Sequence, residues 1–214
     1  MEHAKLKAYK VTQDGTELKI FVPNRNLQNE IIDGRVRTCE IRLEDNRKIS
    51  YEQRKKAYAC IADISKYTGY QPEQAKELMK YLYIIRTGGE YFSLSNCSME
   101  TAKEFINVLL DYIIENGIQM DESGVDRSED IDHYLWKCLE QRVCAVCGKP
   151  FSDRHHISGS RIGMGNNRNK TSNAGRKMVC LCREHHNICH KDEVGFFKKY
   201  HIYGVYFEDG DKED

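Results

Sequence analysis

The sequence Cys-Ala-Val-Cys-Gly-Lys stands at residues 144–149, His-His at residues 155–156, and Leu-Cys-Arg-Glu-His-His-Asn-Ile-Cys-His at residues 181–190. These runs decide the fold of the C-terminal part of the chain. Cys-x-x-Cys followed by Gly is typical of a zinc knuckle, because two thiolates converge on one ion while Gly permits the tight turn. The later Cys-x-x-His supplies the other half of a tetrahedral site. The spacing therefore predicts a closed, structural zinc site made of Cys144, Cys147, Cys182 and His185.

Other assignments of these cysteines have less support in the sequence. A thioredoxin-like redox pair would need a surrounding βαβ pattern, and the second short pair argues against inert buried thiols. Cys189 stands four residues after His185, so a helix would place both on one face, and Cys189 could replace His185 as the fourth ligand. Cys180 is a weaker substitute. The short spacing, which repeats that of the first knuckle, favours His185.

A second group of histidines predicts a separate metal site. His186 and His190 are four residues apart, so a helix would place both imidazoles on one face, about 100° round from His185. Together with His155 they would give an ion three protein ligands and leave open positions, as a catalytic site requires. The adjacent His156 could then act as a general base, because imidazole exchanges protons near neutral pH.

Two observations weigh against this second site. Single histidines are more often surface residues or spare zinc ligands than members of a catalytic centre. Neighbouring side chains on a regular strand also point to opposite faces. His155 and His156 can therefore serve one site only if the backbone bends there or the strand ends. The five histidines and six cysteines within about fifty residues nevertheless favour a metal site.

Composition and charge limit the protein class. The 214 residues are 40% hydrophobic and 31% charged, which excludes a wholly disordered chain. No apolar run approaches the roughly 18 residues of a membrane helix, and no signal peptide is visible, so we expect a cytoplasmic protein without membrane contact. The net charge is zero, yet residues 133–206 carry 13 Lys and Arg against 5 Asp and Glu. This basic segment predicts a polyanionic partner.

Basic residues lie between and beside the predicted metal ligands, where the phosphates of a nucleic acid would run. We expect DNA contacts from Arg154, Arg161, Arg168, Lys170, Arg176, Lys177 and Arg183.

The rest of the chain predicts a mixture of helices and strands. Residues 5–22 alternate around Asp14-Gly15, which indicates a hairpin, and amphipathic helices follow from Tyr51, Pro72 and Ser98. Residues 119–132 are polar and acidic, as in a linker. We therefore predict an α+β protein with a domain at 1–118, a linker at 119–132, a zinc-stabilised domain at 133–206 and an acidic tail at 207–214.

The Cys and His pattern of residues 140–206 resembles that of HNH endonucleases, the ββα-metal family, and especially those of phages of Gram-positive bacteria. This resemblance implies a metal-dependent DNA endonuclease, with Mg²⁺ or Mn²⁺ as the catalytic ion and Zn²⁺ as the structural one. It gives His155, His186 and His190 the role of metal ligands and His156 that of the base.

One position departs from the family pattern. The Asn that orients the base usually stands five residues before the second knuckle, where this chain has Lys177. Asn173 is the nearest candidate upstream. Either Asn173 or a backbone carbonyl would orient His156, and otherwise the base would be less well poised.

Residues 50–120 are similar to the lambdoid phage recombination mediators called Orf or NinB, through Gln53-Arg54-Lys55-Lys56-Ala57-Tyr58 and Leu94-Ser95-Asn96-Cys97-Ser98-Met99. This resemblance implies a homodimer that engages single-stranded DNA and single-strand-binding protein. The leading hypothesis is therefore an endonuclease of phage recombination or replication. The alternatives are a non-catalytic, zinc-containing DNA-binding module and a recombination mediator that binds single-strand-binding protein.

Overall fold

A computed structural model describes residues 4–24, 27–32, 47–160 and 175–207. Helices and two small antiparallel sheets confirm the predicted α+β class. The chain divides into two compact units, residues 1–43 and residues 44–214. Four predicted site residues lie outside the described ranges: Arg161, Arg168, Lys170 and Asn173.

The first unit contains the predicted hairpin. Strands β1 (Lys5–Thr12) and β2 (Gly15–Phe21) pair antiparallel, with Thr12 opposite Gly15 at the turn. A short helix, α1 (Leu27–Ile32), follows.

Three amphipathic helices form the first part of the second unit: α2 (Tyr51–Thr68), α3 (Pro72–Thr87) and α4 (Met99–Glu115). Ser50 begins α2 through a capping box with Gln53, and the Ser98 hydroxyl accepts the Thr101 N–H at the start of α4. The apolar face of α4, which includes the fully buried Phe105, packs against α2 and α3. The predicted helix starts are thus confirmed.

Residues 119–132 differ from the open linker that their composition indicates. They contain α5 (Gly124–Arg127) and lead into α6 (Ile131–Gln141). The Arg127 guanidinium is buried against the Asp63 carboxylate of α2, and Val125 is buried as well. An internal ion pair, which an acidic composition does not reveal, holds this segment on the helices. The two compact units divide between residues 43 and 44. The predicted domains at 1–118 and 133–206 stay a prediction.

The C-terminal part of the second unit is a small sheet with two helices. Its antiparallel strands β3 (Asp153–His156), β4 (Lys177–Leu181) and β5 (Val205–Tyr206) lie in that order. Helices α7 (Arg183–Lys191) and α8 (Glu193–Tyr200) come between β4 and β5 in the chain. The hairpin of β3 and β4 followed by α7 has the ββα order that the resemblance implies.

Within the described residues, none of the helices is long and apolar enough to cross a membrane.

The Arg127–Asp63 pair gives a stability prediction. Both side chains are less than 5% exposed, so Arg127→Met removes the buried partner of the Asp63 carboxylate and leaves it only the exposed Lys66 at 3.8 Å. This change should lower the free energy of unfolding by about 3–5 kcal/mol. Urea denaturation measures this change. Adding Asp63→Leu to Arg127→Met should restore most of the loss, because an apolar pair leaves no buried charge.

Asp121→Asn is the control for this prediction. Asp121 pairs with Lys66 at the surface, where both side chains are more than 60% exposed, and its loss should change the denaturation midpoint little. Equal effects of Arg127→Met and Asp121→Asn would contradict a stabilising role for the buried pair.

Candidate active site

Four of the predicted ligands converge on one point. The ligand atoms of Cys144, Cys147, Cys182 and His185 all lie within 4.8 Å of one another. The Cys147 and Cys182 sulfurs are 3.8 Å apart, and His185 Nδ1 lies 3.6 Å from the Cys144 sulfur and 3.2 Å from that of Cys182. A tetrahedron with zinc bond lengths has edges of about 3.8 Å between sulfurs and about 3.6 Å between sulfur and nitrogen. Two of the three distances match these edges, and the third is shorter.

Local sequence explains how the donors converge. Gly148 adopts a positive φ of 70°, which lets its N–H bond the Cys144 carbonyl and closes the knuckle. The Ala145 N–H donates to the Cys180 carbonyl and so attaches the knuckle to β4. Cys182 is the N-cap of α7, and His185 lies in the first turn of that helix.

The electrostatics of this cluster suit a cation. Burial and the neighbouring thiols raise the pKa of Cys147 to about 12, so its thiolate needs a positive charge beside it. Burial lowers the pKa of His185, which keeps its imidazole in the neutral form that binds metals. Three sulfurs and one imidazole are a donor set that zinc accepts. The cluster could therefore hold zinc.

A second, separate cluster contains the three other predicted ligands. One ligand atom from each of His155, His186 and His190 lies within 4.8 Å of the others. His155 projects from β3 and is only 2% exposed, whereas His186 and His190 lie one turn apart on α7. Burial and the neighbouring His190 lower the pKa of His186, which favours a neutral imidazole.

Two further side chains, Asp153 and Cys189, lie against this triad. Asp153 Oδ2 is 3.7 Å from His186 Nδ1, a position from which a carboxylate can orient a ligating imidazole. Asp153 stands two residues before His155 in β3, and this spacing on one face of a strand could have indicated it. The Cys189 sulfur lies 3.5 Å from His155 Nε2. Cys189 is therefore beside the triad and not in the cluster of Cys144, Cys147, Cys182 and His185.

His156 is the last residue of β3 and belongs to neither cluster. It pairs with Met178, and the following residue, Ile157, donates its N–H to the Lys177 carbonyl. Beyond it, the Ser158 N–H donates to the Glu193 carboxylate at 2.8 Å and attaches the loop to α8. Strand β3 thus ends at His156. This end meets the condition under which His155 and His156 could serve one site.

The described basic residues differ in their surroundings. The Arg154 guanidinium covers the Phe207 ring, Arg176 donates to the Ser160 carbonyl, and Lys177 covers the Tyr206 ring. Arg183, at the start of α7, has an 80% exposed side chain 3.5 Å from Asp153. Arg183 is thus the most accessible of the four for a phosphate near the triad.

A family model described as "Putative HNHc nuclease" matches residues 22–211. The chain belongs to this HNHc nuclease family. The match extends beyond the two clusters and includes the helices of the second unit.

A curated relative, the uncharacterized protein YdfU of Escherichia coli strain K12, is 42% identical over 63 residues. The aligned region is 29% of this chain and 17% of that protein, so this chain covers only a small part of its relative. No solved structure matches the chain significantly.

The sulfur-rich cluster predicts bound zinc. We expect purified protein to contain about one tightly held zinc per chain, and Cys144→Ser to lose it and lower the melting temperature. Elemental analysis and thermal denaturation measure the two effects. Cys97→Ser, at a buried cysteine outside the cluster, is the control and should keep the metal. Well-folded wild-type protein without zinc would contradict the assignment.

Proposed function

We propose that this protein is a metal-dependent endonuclease that hydrolyses DNA phosphodiester bonds, with one structural and one catalytic metal site. The observation that carries the proposal is the separation of the Cys and His residues into two clusters of different composition. Three thiols and an imidazole form a closed set, which suits a structural zinc. Three imidazoles leave coordination positions open for substrate.

The three histidines fit a divalent ion as a donor set. Such an ion would supply Lewis-acid polarisation of the phosphate and stabilisation of the leaving oxygen. The resemblance to HNH endonucleases favours Mg²⁺ or Mn²⁺, whereas imidazole ligands also suit Zn²⁺, Ni²⁺ or Co²⁺. Asp153, on the Nδ1 side of His186, would hold that ring with Nε2 directed away from the carboxylate.

His156 is the proposed general base. A ring nitrogen of its neutral imidazole would take the proton from the attacking water, and His156 lies outside the triad that would hold the ion. The exposed guanidinium of Arg183 would bind a neighbouring phosphate of the same strand. From the sequence we also propose that Asn173 orients His156. The same sequence argument gives DNA contacts to Arg161, Arg168 and Lys170.

A zinc module that binds DNA without cutting it is the main rival. It accounts for the sulfur-rich cluster and the basic segment. It gives no reason for a buried His155 to face His186 and His190 across the hairpin and helix. That convergence favours the endonuclease.

We also propose, on a different observation, that the N-terminal helices contact a protein partner in phage recombination. Tyr81 and Ile85 are four residues apart on α3 and are 63% and 79% exposed. Paired exposed apolar side chains suit a protein contact. Capture of purified single-strand-binding protein by the wild type, and its loss in Tyr81→Ala/Ile85→Ala, would support this role. Equal capture by both would contradict it, and gel filtration would test the proposed homodimer.

The endonuclease proposal predicts distinct effects of two histidine substitutions. In single-turnover cleavage of plasmid, branched and single-stranded DNA with Mg²⁺ or Mn²⁺, His156→Ala should lower the rate by about 10²–10⁴-fold, because the general base is lost. Mn²⁺ binding and DNA affinity should change little. His186→Ala should weaken Mn²⁺ binding as well as cleavage.

His201→Asn is the control, since this exposed residue has a left-handed backbone that Asn tolerates. Its cleavage rate should equal that of the wild type. Full activity in His156→Ala would refute the mechanism. Loss of Mn²⁺ binding in His156→Ala would make His156 a ligand and leave His155 as the base.

A further inference from the structure

A cavity beside the end of β3 has no part in the metal chemistry described above. Its volume is about 470 Å³, within the range of small-molecule sites. The lining residues come from α6, from Lys177 at the start of β4 and from residues 203–206.

Partly exposed aromatic rings are the main feature of this cavity. Trp136, Tyr203 and Tyr206 are 38%, 41% and 62% exposed, although rings of this size usually bury their faces. Protein sites for single-stranded nucleic acid use exposed aromatic rings of this kind, because every base has a face that can stack on them. The rings therefore favour a flat aromatic ligand.

Charged and polar groups at the rim suit a nucleotide. Lys177 places its ammonium 5.0 Å from the centre of the Tyr206 ring, where it could also bind a phosphate. His133 bonds Asp111, and this hydrogen bond raises the pKa of His133 and favours its charged form. The exposed Asp132 carboxylate can accept hydrogen bonds from the amino or imino groups of a base.

The cavity is attached to the strand that carries the proposed base. Ile157, which follows His156, donates its N–H to the carbonyl of Lys177, a cavity residue. Gly204 packs so closely on Ile157 that an added Cβ would lie 2.7 Å from the Ile157 side chain. The wall of the cavity is therefore attached to the end of β3, one residue from His156.

We propose that this cavity binds an unpaired base of the DNA strand next to the phosphodiester that is cut, so that the enzyme acts on single-stranded or branched DNA. The proposal rests on the endonuclease function. It deepens that function by naming the substrate class, since a base in a duplex is stacked and paired and could not enter the cavity without being extruded.

Fluorescence of Trp136, the single tryptophan of the chain, reports on this cavity directly. Two probes are compared. One is an oligothymidylate of about 12 nucleotides, a length typical of single-strand sites, and the other is its blunt duplex with the complement. Full-length His156→Ala is titrated at fixed salt without added divalent ion, so that binding is measured without cleavage. We expect saturable quenching by the single strand and binding to the duplex that is weaker by on the order of 10-fold.

Substitutions at Tyr206 test the contact. Tyr206→Ala should weaken binding of the single strand by on the order of 10-fold, because a stacking ring is lost, whereas Tyr206→Phe keeps the ring and should bind as before. Tyr67→Ala, at a similarly exposed tyrosine of α2, is the matched control and should have no effect. Circular dichroism checks that each variant is folded.

The outcomes separate the cavity from the nuclease proposal. Equal quenching by single strand and duplex, or binding that Tyr206→Ala leaves unchanged, would overturn the base-binding role even if the wild type cuts DNA. A mononucleotide that binds as tightly as the oligothymidylate would also overturn the assignment to a DNA strand. If the protein cuts no DNA but binds the single strand in a way that depends on Tyr206, the endonuclease proposal is refuted. The base-binding role of the cavity is then supported.

Discussion

The position of α7 is the constraint on which the rest of the C-terminal structure depends. His185 and His186 are neighbours on this helix, and the helical period turns them about 100° apart. His185 therefore joins the three cysteines while His186 and His190 face His155 on β3. A small rotation of α7 would displace donors from both clusters at once. The knuckle, which is hydrogen bonded to β4, and the Cys182 N-cap hold the start of the helix in place.

The electrostatics of the two clusters explain why they should differ in function. Burial and the neighbouring thiols raise the pKa of Cys147, so the sulfur-rich cluster favours a permanently bound cation over ionised, unpaired sulfur. The imidazoles of the other cluster would bind an ion in their neutral form, and burial favours that form at His186. Without permanent charge they would bind an ion less tightly and leave its remaining positions for substrate. This difference supports the proposal that the sulfur-rich cluster is structural and the imidazole cluster catalytic.

Features set by short sequence spacing could be predicted, and features set by distant contacts could not. Cys-x-x-Cys, Cys-x-x-His and the two histidines four apart fix their geometry within one turn, and their convergence follows from the ββα order. The Arg127–Asp63 pair joins residues from two distant helices, so residues 119–132 looked like a linker by composition. Trp136 and Tyr206 share a cavity only because α6 packs against β4 and β5, which no local pattern reveals.

The end of β3 connects the two proposed sites. His155 lies in the imidazole triad, His156 is the last residue of the strand, and Ile157 contacts the wall of the aromatic cavity. Three consecutive residues therefore connect a metal site, a candidate base and a candidate nucleobase site. A strand whose base entered the cavity would have its backbone held near His156 without any contact to a paired base. The short β3 can set the relative positions of His155, His156 and Ile157 because the backbone is fixed on both sides of His156. Pairing with β4 fixes it on one side, and the hydrogen bond from Ser158 to Glu193 fixes it on the other.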